Sequence, residues 1–222
     1  DFERKTAYDK PMDIPTLEKL ARLIRHHILV MTHGAGSGHP TTCFSAVDLS
    51  TVLFFKHFEA DLDDPESLAN DRLIFSKGHA GALLYSLYAA AGKLLKEDLL
   101  GYRTFHSSLE GHPTKRFRFT EAATGSLGQG LSIGAGEAYA MKYFQGRLEY
   151  ASLPQVFVLM GDGELAEGSV WEAANFAAHY KLNNLIAICD INRFGQAQET
   201  MHGHNVHIYE KKFKAFGWET VV

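Results

Sequence analysis

The pattern that most restricts the fold lies in the last third of the chain, where two apolar runs flank a helical segment. Residues 155–160 and 185–190 have the composition of buried strands, and residues 167–180 between them have helical periodicity. Such a unit makes the two strands parallel, because the helical crossover returns the chain to the same end of the sheet. Both strands then end at one edge, where open α/β sheets bind their ligands.

Other apolar patterns predict the elements around this unit. The run at 72–76 is typical of a buried strand and leads into a helix through Ala91, while the final residues GWETVV indicate another strand. Helical spacing recurs in three further segments, of which the last is rich in Gly and Ala and is expected to pack closely: 16–32, about 45–58 and 128–145. The sequence therefore predicts an α/β fold class, with a doubly wound, mostly parallel sheet flanked by helices.

The composition favours one domain over residues 1–222 and limits its partners. Of the 222 residues, 45% are hydrophobic, and there is no internal repeat or long linker. The net charge is −4 without a basic run, which argues against nucleic acid and membrane surfaces as partners. No apolar stretch approaches the roughly 20 residues of a membrane helix. The segment DFERKTAYDK lacks the apolar region of a signal peptide, so we expect a cytoplasmic protein.

The cysteines and the chain ends carry less information. Cys43 and Cys189 are far apart and lack the spacing of a metal site or a disulfide framework, so we expect both to be small buried side chains. The chain starts at Asp1 without a methionine and stops in an apolar run. These ends suggest a sequence that is truncated at its C-terminus.

Hard oxygen ligands follow both strands of the C-terminal unit. Asp162 lies in the turn GDG after the first strand, and Asn192 follows the second strand, 30 positions later. Carboxylate and amide oxygens, together with a backbone carbonyl such as that of Phe194, suit Mg²⁺, which also binds phosphate oxygens and water. The glycines beside Asp162 and the helix N-terminus beyond them favour close approach of a diphosphate. The alternative is an ordinary strand-to-helix turn with Asp162 as the N-cap.

The segment that begins with this turn resembles the thiamine diphosphate fingerprint, which opens with Gly-Asp-Gly and closes with Asn some 30 residues on. Its residues are similar to those of the transketolase family. Four further segments occur in the order and approximate spacing of that family's N-terminal domain: SGHP at 37–40, SKGHA at 76–80, GHP at 111–113 and TGSLGQG at 124–130. The resemblance extends from about residue 15 to 222 and implies a thiamine diphosphate-binding fold.

The resemblance also implies which residues bind the cofactor and its metal. Asp162, Asn192 and the carbonyl of Phe194 would hold Mg²⁺, or Ca²⁺ or Mn²⁺ in its place, and Gly163 would lie against the diphosphate. Other residues expected to contact thiamine diphosphate are His79, Gly125, Ser126, Leu127, Glu167 and Gln196. Without the resemblance, Gly125–Leu127 would be a tight loop before a helix.

Three more acids follow Asp162. Glu167 and Glu172 lie about 140° apart around a helix, so they cannot both face the diphosphate. The resemblance places the matching glutamates in a chain of acids that crosses a dimer interface between two cofactors. A solvated helix face is the alternative for Glu172. We expect Glu164 to be solvated in the turn.

Of the 12 histidines, His39, His79 and His112 stand out because glycine or proline flanks each of them. An imidazole exposed at a turn can exchange protons with a sugar hydroxyl near neutral pH. The resemblance implies that these three are catalytic and line the channel over the thiazolium ring. A zinc site built from them is an alternative, but they lack the close paired spacing of zinc ligands. Lys77 is expected either beside the substrate channel or in a solvated loop.

The resemblance implies transketolase chemistry, in which a two-carbon ketol group passes from a ketose phosphate to an aldose phosphate. In the family, the glutamate that activates the aminopyrimidine comes from a second domain, which these residues do not include. We therefore expect the N-terminal subunit of a split transketolase that works with a C-terminal transketolase subunit as an α2β2 heterotetramer. A fragment of a full-length enzyme is the alternative. A further cofactor-contacting histidine of the family has no counterpart here, since His202, His204 and His207 do not align with it.

Two other functions stay open at this point. One is a different thiamine diphosphate enzyme, such as a deoxyxylulose-phosphate synthase or an alpha-type keto-acid dehydrogenase subunit, against which the three histidines and GSLGQG argue. The other is a non-catalytic paralogue that binds a partner subunit. The retention of Asp162, Asn192 and the three histidines argues against that function.

Overall fold

The computed structural model describes residues 12–145 and 152–222, so the segment DFERKTAYDK lies outside the described residues. Three strands and eight α-helices lie in these two ranges. Their order is α1 (Ile14–Gly34), α2 (Pro40–Ser45), α3 (Val47–Val52), a π-helical turn (Leu53–His57), β1 (Arg72–Phe75), a 3₁₀ turn (Gly78–Ala80), α4 (Gly81–Ala90), α5 (Lys96–Leu99), α6 (Gly130–Phe144), β2 (Val156–Gly161), a second 3₁₀ turn (Glu164–Ala166), α7 (Gly168–His179), β3 (Leu185–Asp190) and α8 (Val206–Ala215).

The three described strands form a parallel sheet in the order β1, β2, β3. Val158 of β2 lies opposite Ile74 of β1 on one side and Ala187 of β3 on the other. Helix α7 makes the crossover between β2 and β3, which confirms the predicted strand–helix–strand unit. At the end of this pairing Gly161 lies opposite Asp190. The residues that follow both strands therefore meet at the same edge of the sheet.

Helices cover both faces of the sheet. Phe157 and Leu159 of β2 pack with α1 and α4 on one face. Val158 and Met160 point to the opposite face, because side chains alternate along a strand, and pack with α6, α7 and α8. This arrangement confirms the expected α/β fold class. That residues 1–222 form a single domain stays a prediction.

Helix α6 lies very close to the sheet, as its Gly and Ala content predicts. A Cβ atom built on Gly134 would approach Val158 Cγ2 to 2.6 Å, and one on Gly130 would approach Ser76 Cβ to 2.3 Å. Real Cβ atoms do not approach other atoms so closely, so both positions need glycine. The contact holds the segment before α6 against the end of β1, where the site is built.

The helical segment predicted at 45–58 begins earlier and is interrupted. It starts at Pro40, whose fixed φ suits a first helical position, and a break at Ala46 separates α2 from α3. The last turn is π-helical, with Phe58 N donating to Leu53 O at 2.9 Å. This wider turn allows Phe54, Phe55 and Phe58 to be buried together, a tertiary requirement that local periodicity does not reveal.

The strand predicted for GWETVV is not formed, since residues 218–222 have no regular structure. Trp218 instead packs on α7, and its Nε1 donates to Ala174 O at 2.9 Å. Val221 and Val222 are exposed and have no neighbouring strand among the described residues. Without a pairing partner, an apolar run alone does not make a strand.

Both cysteines are free thiols: Cys43 is buried, and Cys189 is half-buried. Burial raises the pKa of each thiol to about 12, so neither is a reactive thiolate at neutral pH. None of the helices within the described ranges is long and apolar enough to cross a membrane.

The close contact of α6 predicts opposite effects for the same substitution at two glycines of that helix. Gly134→Ala should lower the free energy of unfolding by about 1–3 kcal/mol, because its methyl group meets the buried Val158 side chain. Gly136→Ala is the matched control. It has open space around its Cβ position and should gain up to about 1 kcal/mol from helix propensity. Urea unfolding of both variants measures the difference, and equal shifts would contradict the packing.

Candidate functional site

A cleft of about 140 Å³ lies at the edge where β2 and β3 end. It collects residues from segments that are far apart in sequence. The residues that line it are His39, Thr42, Lys77, His79, Leu127, Gly161, Asp162, Gly163, Glu164, Asn192, Phe194, Gly195 and Gln196. Most of the residues predicted to bind the cofactor or metal are in this set.

Asp162 is 3% exposed and is held by two donors on its Oδ2 atom. The backbone N–H of Arg193 donates at 2.9 Å and the hydroxyl of Thr200 at 2.7 Å. Arg193 adopts a left-handed conformation with φ of 64°, which turns its N–H toward the carboxylate. We find no donor to Oδ1 among the described residues, which leaves that oxygen available to a cation.

Asn192 lies beside Asp162 in the cleft, and hydrogen bonds set the orientation of its amide. Its Nδ2 donates to Ser45 Oγ at 3.2 Å, and its Oδ1 accepts from Phe194 N at 3.0 Å. A carbonyl oxygen has two lone pairs, so Oδ1 can also bind a metal. Asp162, Asn192 and Phe194 are thus brought together as predicted, and their role as metal ligands stays a prediction.

Lys77 is not a solvated loop lysine, because only 7% of it is exposed. Its Nζ pairs with Asp190 Oδ2 and donates to Ser45 Oγ at 3.0 Å. Ser45 Oγ also lies 2.5 Å from the same Asp190 oxygen. Sequence reasoning missed Ser45, Asp190 and Thr200. The only signal was the position of Asp190 as the last residue of a buried strand.

Glu164 is buried, with 2% of its surface exposed, so the expectation of a solvated side chain was wrong. Its Oε1 accepts from the Ser76 hydroxyl and from Gly128 N at 2.8 Å, and its Oε2 accepts from Gly161 N at 3.3 Å. Burial raises the pKa of this carboxyl despite these donors. The side chain ties the ends of β1 and β2 to the loop before α6, contacts that a turn motif does not show.

The three predicted histidines converge although they are far apart in sequence. Their ring centroids are 5.1 Å apart for His39 and His79, 4.7 Å for His79 and His112, and 6.4 Å for His39 and His112. His39 precedes α2, His79 lies in the 3₁₀ turn after β1, and His112 lies in the loop before α6. The fold therefore brings all three imidazoles together, with His39 and His79 lining the cleft and His112 in contact with them.

These imidazoles are poised to be neutral. Burial is the main cause that lowers the pKa of His39, His79 and His112 below 6.5, and the nearby positive charge of Arg103 lowers each further. His112 and His39 also lower the pKa of His79, and His39 lowers that of His112. A neutral imidazole can accept a proton or a hydrogen bond, which suits contact with sugar hydroxyls.

The loop predicted to contact the aminopyrimidine lies against the histidines. Gly125 has φ of 144°, and a Cβ atom there would lie 3.1 Å from His112 Cδ2. Leu127 lines the cleft and is 40% exposed, while Ser126 is exposed beside it. An accessible leucine and a glycine in this conformation are compatible with a flat ring lying on the loop.

The remaining predicted residues divide between the cleft and the surface. Gly163 and Gln196 line the cleft. Glu167 stands at the N-cap position of α7 without a side-chain capping hydrogen bond, and Glu172 lies further along that helix. Both are exposed to solvent, outside the set that lines the cleft. Cofactor contact by Glu167 and a role for either acid at a subunit interface stay predictions.

Comparison with known proteins agrees with the motifs. The family model described as "Transketolase, thiamine diphosphate binding domain" matches residues 17–222. Human transketolase is 46% identical over 218 residues, which cover 97% of this chain and 34% of that protein. Mouse transketolase-like protein 2 is 47% identical over 209 residues, which cover 94% and 32% respectively. The chain thus spans about a third of the length of these relatives.

Solved transketolases have the same fold. The Campylobacter jejuni enzyme superposes with a TM-score of 0.86 at 37% identity, covering 94% of this chain and 33% of that one. The Pichia stipitis enzyme in complex with sedoheptulose 7-phosphate superposes with a TM-score of 0.82 at 31% identity, covering 91% and 31%.

The lowered histidine pKa values predict a loss of stability in mild acid. The unfolded chain takes up protons first as the pH falls, so this stability is complete above pH 6.5 and is lost below it. His79→Gln should make the slope of unfolding free energy between about pH 5 and 6.5 shallower, by less than the roughly 1.4 kcal/mol per pH unit of one proton. Urea unfolding across this range measures the slope. The same comparison at pH 8 measures the loss of packing caused by the substitution itself. If the two plots of unfolding free energy against pH ran parallel, the lowered pKa of His79 would be contradicted.

Proposed function

The chain belongs to the transketolase thiamine diphosphate binding domain family, and from this premise we propose that it forms the diphosphate-binding half of a transketolase active site. The observation that carries the proposal is the cleft at the sheet edge, where Asp162 and Asn192 face His39 and His79. One side offers oxygen ligands for a hard cation, and the other offers neutral imidazoles for a sugar. A simple strand-to-helix turn would explain neither the convergence of the histidines nor the hydrogen bonds that orient Asn192.

The residues present fit magnesium and a diphosphate. Asp162 and Asn192 supply oxygens, and the Phe194 carbonyl follows in the same loop, the donor set that Mg²⁺ prefers. Among the described residues, the nearest atom to a Cβ atom on Gly163 would be Thr200 Cγ2 at 3.7 Å. Packing within the chain therefore does not require glycine at this position. Close approach of a bound diphosphate supplies the reason.

Thiamine diphosphate, when bound, supplies a nucleophilic carbon and an electron sink for cleaving the ketose carbon–carbon bond. The chain's own residues hold and orient the reactants. Asp162 and Asn192 hold the cation that neutralises the diphosphate charge. Ser45 fixes the Asn192 amide by accepting from its Nδ2, and Lys77 and Asp190 fix Ser45 in turn.

The histidines handle protons on the sugar side of the cleft. Because His39, His79 and His112 are neutral near pH 7, each can accept a hydrogen bond from a substrate hydroxyl or take up its proton. The buried His112 Nε2 has no hydrogen-bond partner in the described chain. Since buried polar atoms are normally hydrogen-bonded, a bound ligand would supply the partner.

A partner chain completes the proposed site. The chain spans about a third of the transketolases that it matches, and the resemblance places the activating glutamate in a domain beyond these residues. We propose a C-terminal transketolase subunit in an α2β2 heterotetramer, with ketose and aldose phosphates as substrates. The Pichia stipitis complex, which holds a ketose phosphate, supports this substrate class.

Substitution of Asp162 should separate metal binding from folding. Asp162→Asn can still accept from Arg193 N and Thr200 Oγ, but it lacks the charge that holds the cation. We expect Mg²⁺-dependent affinity for thiamine diphosphate to fall by about 100-fold or more, measured by calorimetry. Thr200→Val removes one donor and should cause a smaller loss, while Thr200→Ser should behave like the unsubstituted chain. An unchanged affinity in Asp162→Asn would exclude the metal assignment.

Reconstitution tests the split site. The chain should bind the cofactor alone, but transfer of a two-carbon group from a ketose phosphate should require a co-expressed C-terminal transketolase chain. Two-carbon transfer assayed with and without that chain measures the requirement, and His112→Ala in the complex should lower kcat far more than cofactor affinity. Activity of the 222-residue chain by itself would overturn the split-site proposal.

A further inference from the structure

Three imidazoles with free ligand atoms lie close enough together to share one ion. One nitrogen from each of His39, His79 and His112 lies within 4.8 Å of the other two. Among the described residues, these histidines are the one group of three or more His, Cys, Asp or Glu side chains that could hold a metal ion. Their wide spacing along the chain is unlike that of zinc ligands in a local motif. The fold removes that objection because it joins three separate loops.

The backbone around the cluster is tightly constrained. A Cβ atom on Gly78 would lie 2.6 Å from Gly125 N, and one on Gly38 would lie 2.8 Å from Thr32 Cγ2. A Cβ atom on Gly111 would lie 2.7 Å from Arg103 Cζ. Gly38 and Gly78, which precede His39 and His79, are thus held by close packing, and Gly111 before His112 lies against the Arg103 side chain.

The nitrogen atoms are in the state that a metal requires. A histidine binds a metal as the neutral imidazole, and burial keeps these three neutral near pH 7. The Nε2 atom of His112 is buried and has no partner in the described chain. An orphaned nitrogen acceptor or donor of this kind needs a ligand, whether a hydroxyl, a water molecule or an ion.

We propose that His39, His79 and His112 form a second metal site, selective for Zn²⁺ and related nitrogen-preferring ions, beside the oxygen site of Asp162 and Asn192. Imidazole suits Zn²⁺, Cu²⁺ and Ni²⁺, whereas carboxylate and amide oxygens suit Mg²⁺. Three histidines with one position open to the cleft form the ligand set of a catalytic-type zinc site. The two sites in the cleft therefore differ in the ions that they select.

Binding of an ion requires the three histidine nitrogens to move closer together. The positive charge of Arg103 opposes this binding. Zn–N bonds of roughly 2.0–2.1 Å place tetrahedral nitrogens roughly 3.4 Å apart, so nitrogens that lie within 4.8 Å of one another must approach by at most about 1.4 Å, through rotation of the imidazole side chains. The Arg103 guanidinium, held by Ser37 Oγ at 3.1 Å, opposes a bound cation. Its charge limits the affinity, and its removal should strengthen binding.

A bound ion would engage the nitrogens that the proposed function assigns to the sugar. Zn²⁺ should therefore compete with the ketose. This consequence rests on the proposed function, whereas the metal site itself requires only the three histidines.

Zinc titration of the untagged 222-residue chain, with excess Mg²⁺ present, tests the site. Calorimetry should show one zinc ion bound, and Co²⁺ should give the intense visible absorption of a four-coordinate ion. His39→Gln, His79→Gln and His112→Gln should each weaken Zn²⁺ binding by at least about 10- to 100-fold. Loss of a residue that only hydrogen-bonds to a metal ligand already weakens binding by about this much. Arg103→Met should tighten binding. His106→Gln, an exposed histidine in a neighbouring loop, is the control and should change nothing.

The outcomes separate this proposal from the proposed function. Equal zinc affinity in the unsubstituted chain and in His79→Gln would overturn the site, and so would a loss of zinc binding in Asp162→Asn as large as that in His79→Gln. Urea unfolding at pH 8 confirms that each variant is folded. Since the titration contains no thiamine diphosphate, failure to bind the cofactor would leave its result unchanged.

Discussion

The parallel pairing of β2 with β3 is the constraint on which the rest of the structure depends. It places Gly161 opposite Asp190, so that Asp162 and Asn192 leave the sheet side by side. An antiparallel pair would put these residues at opposite edges. The pairing is stable because Val158 and Leu159 are each fully buried, on opposite faces of the sheet. The hydrophobic packing of the two faces thereby determines where the polar cleft is.

Buried charges connect this sheet edge to the surrounding loops. Lys77 and Asp190 form an ion pair in which both side chains are about nine-tenths buried, and they hold Ser45. Glu164 accepts hydrogen bonds from three segments around the end of β1. Removing one partner of the Lys77–Asp190 pair leaves an uncompensated buried charge, which costs about 3–5 kcal/mol. These buried contacts restrict the motion of the cleft residues. A fixed arrangement of side chains is needed to bind a cofactor in one orientation.

The cleft has two chemically different sides. Oxygen ligands from the C-terminal strand–helix–strand unit form one side, and imidazoles from the N-terminal half form the other. Burial and the charge of Arg103 favour the neutral form of the imidazoles, so the histidines add little positive charge beside the side lined by oxygen atoms. This division is compatible with the proposed binding of Mg²⁺ and a diphosphate on one side and of a sugar on the other.

Local patterns in the sequence determined the strand–helix–strand unit, the close packing of α6 and the residues at the GDG turn. Each of these depends on periodicity or on residues that are neighbours in the chain, as do the motifs that carry the family resemblance. Tertiary structure alone decided that Glu164 is buried, that Lys77 pairs with Asp190, that the GWETVV segment forms no strand and that the three histidines meet. The Glu164 and Lys77 contacts join residues 88 and 113 positions apart. No local pattern encodes such a contact, because burial of a polar side chain depends on which distant donors the packed helices bring to it.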